Sequence, residues 1–204
     1  MGEPATWQSR VEGFVLGQVG DPPARVLEVG CGKGELARAL ARAGHCVTAI
    51  DPRESQRDPE RGPERATEGP IFLRVRIEEL SDPGPFDHVV AILSLHHVED
   101  LGRVLDKIAD LLRVGGNLIV VEFAWDRLEG ATAEWALERL PAASPSGHTS
   151  WLERCCRGWT RGGEGGGGVP AGAHFAGWAE EGFHNSRTMR GELERRFVER
   201  RFEW

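Results

Sequence analysis

Apolar residues follow two rhythms along this chain, and the switches between them outline its elements. Trp7, Val11, Phe14 and Val15 recur at helical spacing, with Gln18 on the same face, so residues 5–18 predict a helix. Asp21-Pro22-Pro23 ends it. A largely apolar strand, Arg25 to Val29, then runs into a glycine turn, and a helix follows from Glu35 to about Ala43, with Gly44 as its C-cap. "HCVTAID" predicts a second strand ending on Asp51. Strand, turn, helix and strand make a βαβ unit, which implies a parallel sheet.

Residues 52–70 are rich in proline and charge, which predicts an irregular crossover where a helix would be usual. "IFLRV" (71–75) and "FDHVVAIL" (86–93) predict the third and fourth strands. Residues 101–113 form an amphipathic helix burying Leu101, Val104, Leu105, Ile108, Leu111 and Leu112. Gly115-Gly116 turns the chain into a fifth strand, "NLIVVEF" (117–123), apolar enough to be central. Beyond it the pattern weakens. "DRLEGATAEWALERL" predicts a helix up to Pro141, and residues 158–172 form a glycine-rich loop. "GFHNSRTMRGELERRF" turns helical near its end, and "RFVERRFEW" fits a last strand or a helix tail.

At 204 residues the chain suits a single domain: an N-terminal helix within 1–20, a core over 22–124, and a variable region over 125–185. A formal charge of −7 argues against nucleic-acid binding by bulk electrostatics. Cys31, Cys46, Cys155 and Cys156 show no paired metal-ligand spacing, so no metal is expected. The composition predicts a reduced, cytoplasmic compartment and no membrane span. The opening "MGEPAT" meets the loose myristoylation pattern, which Glu3 and Pro4 weaken.

Three ligands compete for Gly30-Cys31-Gly32-Lys33-Gly34. A triphosphate loop needs G-x-x-x-x-G-K-[ST], but Gly34 follows Lys33 here. A dinucleotide fingerprint needs G-x-G-x-x-G, and the spacing is G-x-G-x-G. The third reading is a bare backbone against which a nucleoside with an amino-acid tail lies close. Glu28 stands before the turn. Asp51 ends the next strand, where an acid accepts ribose hydroxyls; this is shared with NAD enzymes, and a turn-capping role is its alternative.

"VLEVGCGKGELARALARAGHCVTAIDP" resembles the first motifs of the class I S-adenosylmethionine-dependent methyltransferases. "FDHVVAILSLHHVEDLGRVLDKIADLLRVGGNLIVVEF" resembles the later half of that domain in its small-molecule (type 11-like) branch. The resemblance covers about residues 22–124. It implies a Rossmann-like, doubly wound, mostly parallel α/β sheet of seven strands with helices on both faces. The cofactor, S-adenosylmethionine, would lie across strands one and four. Glu28, Gly30, Cys31, Gly32 and Gly34 would surround its methionine part, Asp51 would hold the ribose, and Pro52 would pack near the adenine. Arg76 stands where the family often has an adenine-binding acid, which shifts that contact to Ile77 and Glu78. Leu93, Ser94 and Leu95 would pass beside the methionine end.

The implied activity is methyl transfer to a small-molecule acceptor, with no nucleic acid or membrane partner. A non-catalytic cofactor-binding protein and an NAD-dependent oxidoreductase are the alternatives. His96 and His97 are candidate bases, indistinguishable in sequence, and a structural role for either is the alternative. Glu122 could orient a polar substrate, or simply face water at a strand end. No "NPPY"-like tetrapeptide and no cysteine follow the fourth strand, which argues against base methylation. The aromatics of 125–185, beside the glycine run, suit a substrate cover or a satellite core.

Overall fold

The computed structural model describes residues 6–53, 69–81, 84–127 and 182–202. The backbone divides into two compact units, Met1–Glu122 with Met189–Trp204, and Phe123–Thr188. The first carries a five-stranded parallel sheet. Its strands are β1 (Arg25–Val29), β2 (Cys46–Ile50), β3 (Ile71–Leu73), β4 (Phe86–Ile92) and β5 (Leu112–Val121), in the spatial order β3-β2-β1-β4-β5. All four neighbouring pairs are parallel. Strand order reverses between β1 and β4, so the chain leaves these two strands in opposite directions and opens a crevice at their carboxyl ends.

The strands β1, β2 and β4 are short and largely buried on both faces, and side-chain alternation sends neighbouring residues into different cores. Val26, Val47, Ala49, Val90 and Ile119 pack beneath α1 (Trp7–Val19) and α2 (Glu35–Arg42), against Val15, Val19, Ala37 and Leu40. Leu27, Val29, Ile50, Val89 and Ala91 point the other way. They meet Leu101, Val104, Leu105, Ile108 and Leu111 of α3 (Leu101–Leu111) and Met189 of α4 (Ser186–Glu194). The fold is therefore a doubly wound, mostly parallel sheet with helices on both faces, as the sequence predicts. Asp100 caps α3, its side chain accepting from the Arg103 amide at 2.9 Å. Arg196, just past α4, reaches Asp106 of α3 at 2.5 Å and Glu192 at 2.6 Å.

Several elements differ in detail. Trp7 is exposed rather than part of the buried stripe, because only the carboxyl half of α1, Val15 and Val19, lies over the sheet. β3 stops at Leu73. β5 starts at Leu112, where α3 has just ended, and residues 113–116 bulge out of the ladder: Phe86 pairs with Leu112, but His88 pairs with Asn117. Gly115, at φ 77°, makes that excursion possible, and Arg113 turns back onto Asp87 at 2.5 Å. After α4, residues 198–202 are neither helix nor strand. The predicted helix before Pro141, the glycine-rich loop and most of the aromatic cover lie outside the described residues, as does most of the irregular crossover. Five of the seven strands implied by the resemblance occur among the described residues.

Within the second unit, Trp125 is buried and its ring N–H donates to the His184 carbonyl at 3.1 Å. Asp126 accepts from the Ser186 amide at 2.8 Å and its hydroxyl at 2.9 Å, capping the start of α4. Among the described residues, no helix is long and apolar enough to cross a membrane.

Candidate functional site

The crevice at the carboxyl ends of β1 and β4 is built from three turns. After β1, Gly30, Gly32 and Gly34 all adopt positive φ, at 76°, 51° and 73°. The Gly30 and Cys31 amides both donate to the Ile50 carbonyl, at 2.8 and 3.0 Å, which folds the turn back over β2. A Cβ on Gly30 would collide with Ser94, and one on Gly34 with the Phe72 ring; one on Gly32 would meet open space. The outer two glycines thus let the turn after β4 and the Phe72 ring of β3 close in, while the middle one faces the crevice.

Alternation along β1 places Glu28 on the same face as Val26, beneath the start of α2. Gly34 offers no side chain to cap that helix. The Ala37 amide, an unpaired donor of the first turn, hydrogen-bonds Glu28 instead. The other carboxyl oxygen, Oε2, is buried without a partner. Burial raises the Glu28 pKa to about 8; the Ala37 amide opposes the shift and the Asp51 charge adds to it. Burial, together with Glu28 and Asp51, pushes the Cys31 thiol up to about 12, so it stays protonated and unreactive.

Asp51 directly follows β2 and is only 2% exposed. Its Oδ2 accepts from the Gly32 amide at 3.0 Å, and its Oδ1 accepts from the Arg53 amide at 2.9 Å. The exposed Arg53 guanidinium approaches the same Oδ1 at 3.5 Å. Asp51 therefore holds the glycine turn open and still has a replaceable partner on its solvent side.

Beyond β4 the backbone is strained. Leu93 sits at φ 48°, a region costing a branched residue about 1–3 kcal/mol. Its amide is anchored on the Val121 carbonyl at 2.8 Å. The kink aims the next two amides at Glu122, just past β5. Oε1 of Glu122 accepts from Ser94 at 2.9 Å and Leu95 at 2.7 Å, while Oε2 meets His96 Nδ1 at 2.7 Å. The His96 and Glu122 side chains are 12% and 9% exposed. The His97 ring lies 4.0 Å from that of His96, between centroids. His97 is more exposed, yet partial burial, then His96 and Arg53, lower its pKa.

The predicted residues divide accordingly. Glu28, Gly30, Cys31, Gly32, Gly34, Asp51 and Ser94 gather around the crevice, and the Ser94 hydroxyl is buried without a partner. Pro52 lies exposed beside Asp51. Ile77 differs from expectation: its side chain is in the core against Val29 and α3, because the short 3-10 turn Ile77–Glu79 packs on that helix. Leu95 is likewise core, so only its backbone borders the crevice. Glu78 is half-buried. Arg76 points to Glu99, at 3.5 Å. Two features escaped the sequence: Arg53 on Asp51, for which the two-residue spacing of an Asx turn was the available signal, and the three partners of Glu122. Glu122 does not simply face water: its side chain is 9% exposed and both of its oxygens are engaged by the turn after β4.

Three comparisons bear on this geometry. A family model described as a methyltransferase domain matches residues 6–155. The ubiquinone biosynthesis O-methyltransferase of Xylella fastidiosa is 41% identical over 102 residues, covering 48% of this chain and 41% of that protein. Its namesake in Xanthomonas campestris pv. campestris is 37% identical over 112 residues, 52% and 46% of the two chains. The chain thus spans about half the length of the curated relatives it matches. Among solved structures, an S-adenosylmethionine-dependent methyltransferase from Mesorhizobium loti covers 92% of this chain and 79% of its own at a TM-score of 0.55; at 21% identity this speaks to the fold alone.

Proposed function

Because the chain belongs to the methyltransferase-domain family, we propose that it binds S-adenosylmethionine in the crevice between β1 and β4 and directs its methyl group to a small-molecule acceptor. The observation that carries this reading is the buried, unpartnered Oε2 of Glu28, the residue that leads into a glycine turn with open space over Gly32. An orphaned carboxyl oxygen costs free energy unless a ligand donor completes it. The α-ammonium of an amino-acid tail is such a donor, whereas a pyrophosphate would offer Glu28 no donor and would place like charge against Asp51. The residues therefore fit this group and disfavour a dinucleotide.

Glu28, Gly30, Cys31, Gly32, Gly34 and Ser94 would hold the methionine part. Asp51 would hold the ribose hydroxyls, exchanging the Arg53 guanidinium for them. Pro52 and the half-buried Glu78 remain for the adenine side. When bound, the group supplies a methyl carbon already activated by a sulfonium. The chain's task is then to orient the acceptor in line with that carbon and to exclude water, which contributes on the order of 7–11 kcal/mol in favourable cases. The curated relatives are named O-methyltransferases, which supports oxygen as the acceptor atom here. The free thiols of buried Cys31 and exposed Cys46 support a reducing, cytoplasmic setting.

Thermal-shift measurements with S-adenosylmethionine, S-adenosylhomocysteine and NAD test the reading. Stabilisation by the first two is expected. Stabilisation by NAD alone would overturn it, and binding without transfer to any member of a metabolite panel would point to a binding protein.

A further inference from the structure

We propose that Glu122 is a positioning residue that fixes His96 as the proton acceptor of the site, so that the acceptor molecule is one that must lose a proton, a hydroxyl compound. This rests on the methyl-transfer reading above. The geometry separates two histidines that the sequence leaves equivalent.

An ionised carboxylate only accepts hydrogen bonds. The Ser94 and Leu95 amides lock Glu122 through Oε1, leaving Oε2 in one place, 2.7 Å from His96 Nδ1. Nδ1 therefore carries the ring proton, and the basic lone pair is on Nε2. Glu122 has little freedom to rotate away, since doing so would strand two buried backbone donors. The strained Leu93 is what aims those amides, so the chain spends conformational energy at the point where the histidine is set. The turn that carries His96 also touches Gly30 through Ser94, which joins the base to the cofactor crevice.

The balance of the step is simple. A bond forms between the acceptor oxygen and the methyl carbon as the bond from that carbon to sulfur breaks, the electron pair staying on sulfur. The hydroxyl proton passes to His96 Nε2, and Glu122 offsets the resulting imidazolium charge. A carboxylate has no proton to lose, and a thiol, with a usual pKa of about 8.5, ionises in part unaided. The dyad suits an acceptor that arrives protonated, a hydroxyl or an ammonium, and the O-methyltransferase relatives favour the hydroxyl.

Glu122→Gln gives the decisive test. Its amide oxygen can still accept from Ser94 and Leu95, but its NH2 now faces Nδ1 and forces the ring proton onto Nε2. Long-range ¹H–¹⁵N spectra of the ligand-free protein, with His96 assigned by its loss in His96→Gln, should show the Nδ1–H tautomer in the wild type and the Nε2–H tautomer in Glu122→Gln. An Nε2–H wild type, or no change in the variant, overturns the proposal. In parallel, transfer of tritiated methyl from S-adenosylmethionine to catechol should fall about 10²–10⁴-fold in both variants, with the Kd for S-adenosylhomocysteine within twofold. Transfer retained within twofold in Glu122→Gln, or labelling of dithiothreitol in preference to catechol, also overturns it. Failure of the wild type to bind S-adenosylhomocysteine would instead sink the methyltransferase reading, and the spectra would still decide the dyad.

Discussion

Two glutamates at the same sheet edge, one buried and one nearly so, have opposite fates. Glu28, at the end of β1, keeps one oxygen on the Ala37 amide and the other on nothing. Glu122, just past β5, has two amide donors on one oxygen and the His96 ring nitrogen against the other. The turns beside them explain the difference. The turn after β1 sends the Gly30 and Cys31 amides to Ile50, that of Gly32 to Asp51 and that of Gly34 to the Cys31 carbonyl, so none of these reaches Glu28. The turn after β4 is kinked at Leu93 and delivers two consecutive amides to Glu122. A carboxyl left unfinished by its own chain suits a cationic ligand, and one completed by its chain suits a fixed structural charge.

The largest expected effect separates the two by pH. The raised Glu28 pKa means the folded state holds its proton more tightly than the unfolded chain. That contribution to stability is full below about pH 4.5, declines as pH rises, and is lost by about pH 8. At roughly 1.4 kcal/mol per pH unit, the total reaches several kcal/mol. Glu28→Gln, neutral at every pH, should lack this slope and be more stable than the wild type at pH 8. Urea unfolding at pH 5 and pH 8 measures it, and parallel slopes in the two proteins would show Glu28 to be charged throughout.

Next in size is the contact that joins the two turns. Gly30→Ala puts a Cβ into Ser94 and an alanine at φ 76°, so a loss of about 3 kcal/mol is expected from overpacking and strain together. Gly32→Ala, strained but unobstructed, should lose less stability while weakening binding of S-adenosylhomocysteine. Glu122→Ala should cost about 2 kcal/mol, because it leaves the Ser94 and Leu95 amides unpaired. Denaturant midpoints rank the three, and a Glu122→Ala protein as stable as the wild type would mean that water reaches those amides.

The unequal legibility of these residues has physical causes. The glycine turn, Asp51 and the apolar strands are local patterns, so β1, β2, β4, α2 and α3 follow from spacing within a few residues. Glu122 is not local: its partners lie 26 to 28 positions earlier and meet it because β4 and β5 pair in parallel. The αL turn at Leu93 carries no glycine to announce it. The early start of β5 was masked by Gly115-Gly116, which mark a bulge inside the ladder instead of the turn before it. Ile77 followed from a family position alone, and its apolar side chain was drawn to the core.

The smallest effect tests whether Asp51 belongs with Glu28 or with Glu122. Two of its bonds are to backbone amides, like those of Glu122, but its third contact is an arginine side chain 76% exposed. Such a pair contributes about 0–1 kcal/mol, being screened by solvent and opposed by side-chain entropy. Arg53→Ala should therefore leave unfolding nearly unchanged. It should also leave the affinity for S-adenosylhomocysteine equal or slightly higher, since the ribose would no longer compete with the guanidinium for Oδ1. Calorimetric titration distinguishes the cases. A tenfold loss of affinity would make Arg53 itself a ligand contact, and Asp51, already satisfied by its own chain, would then resemble Glu122 in being a support for the turn and not a receptor for the ribose.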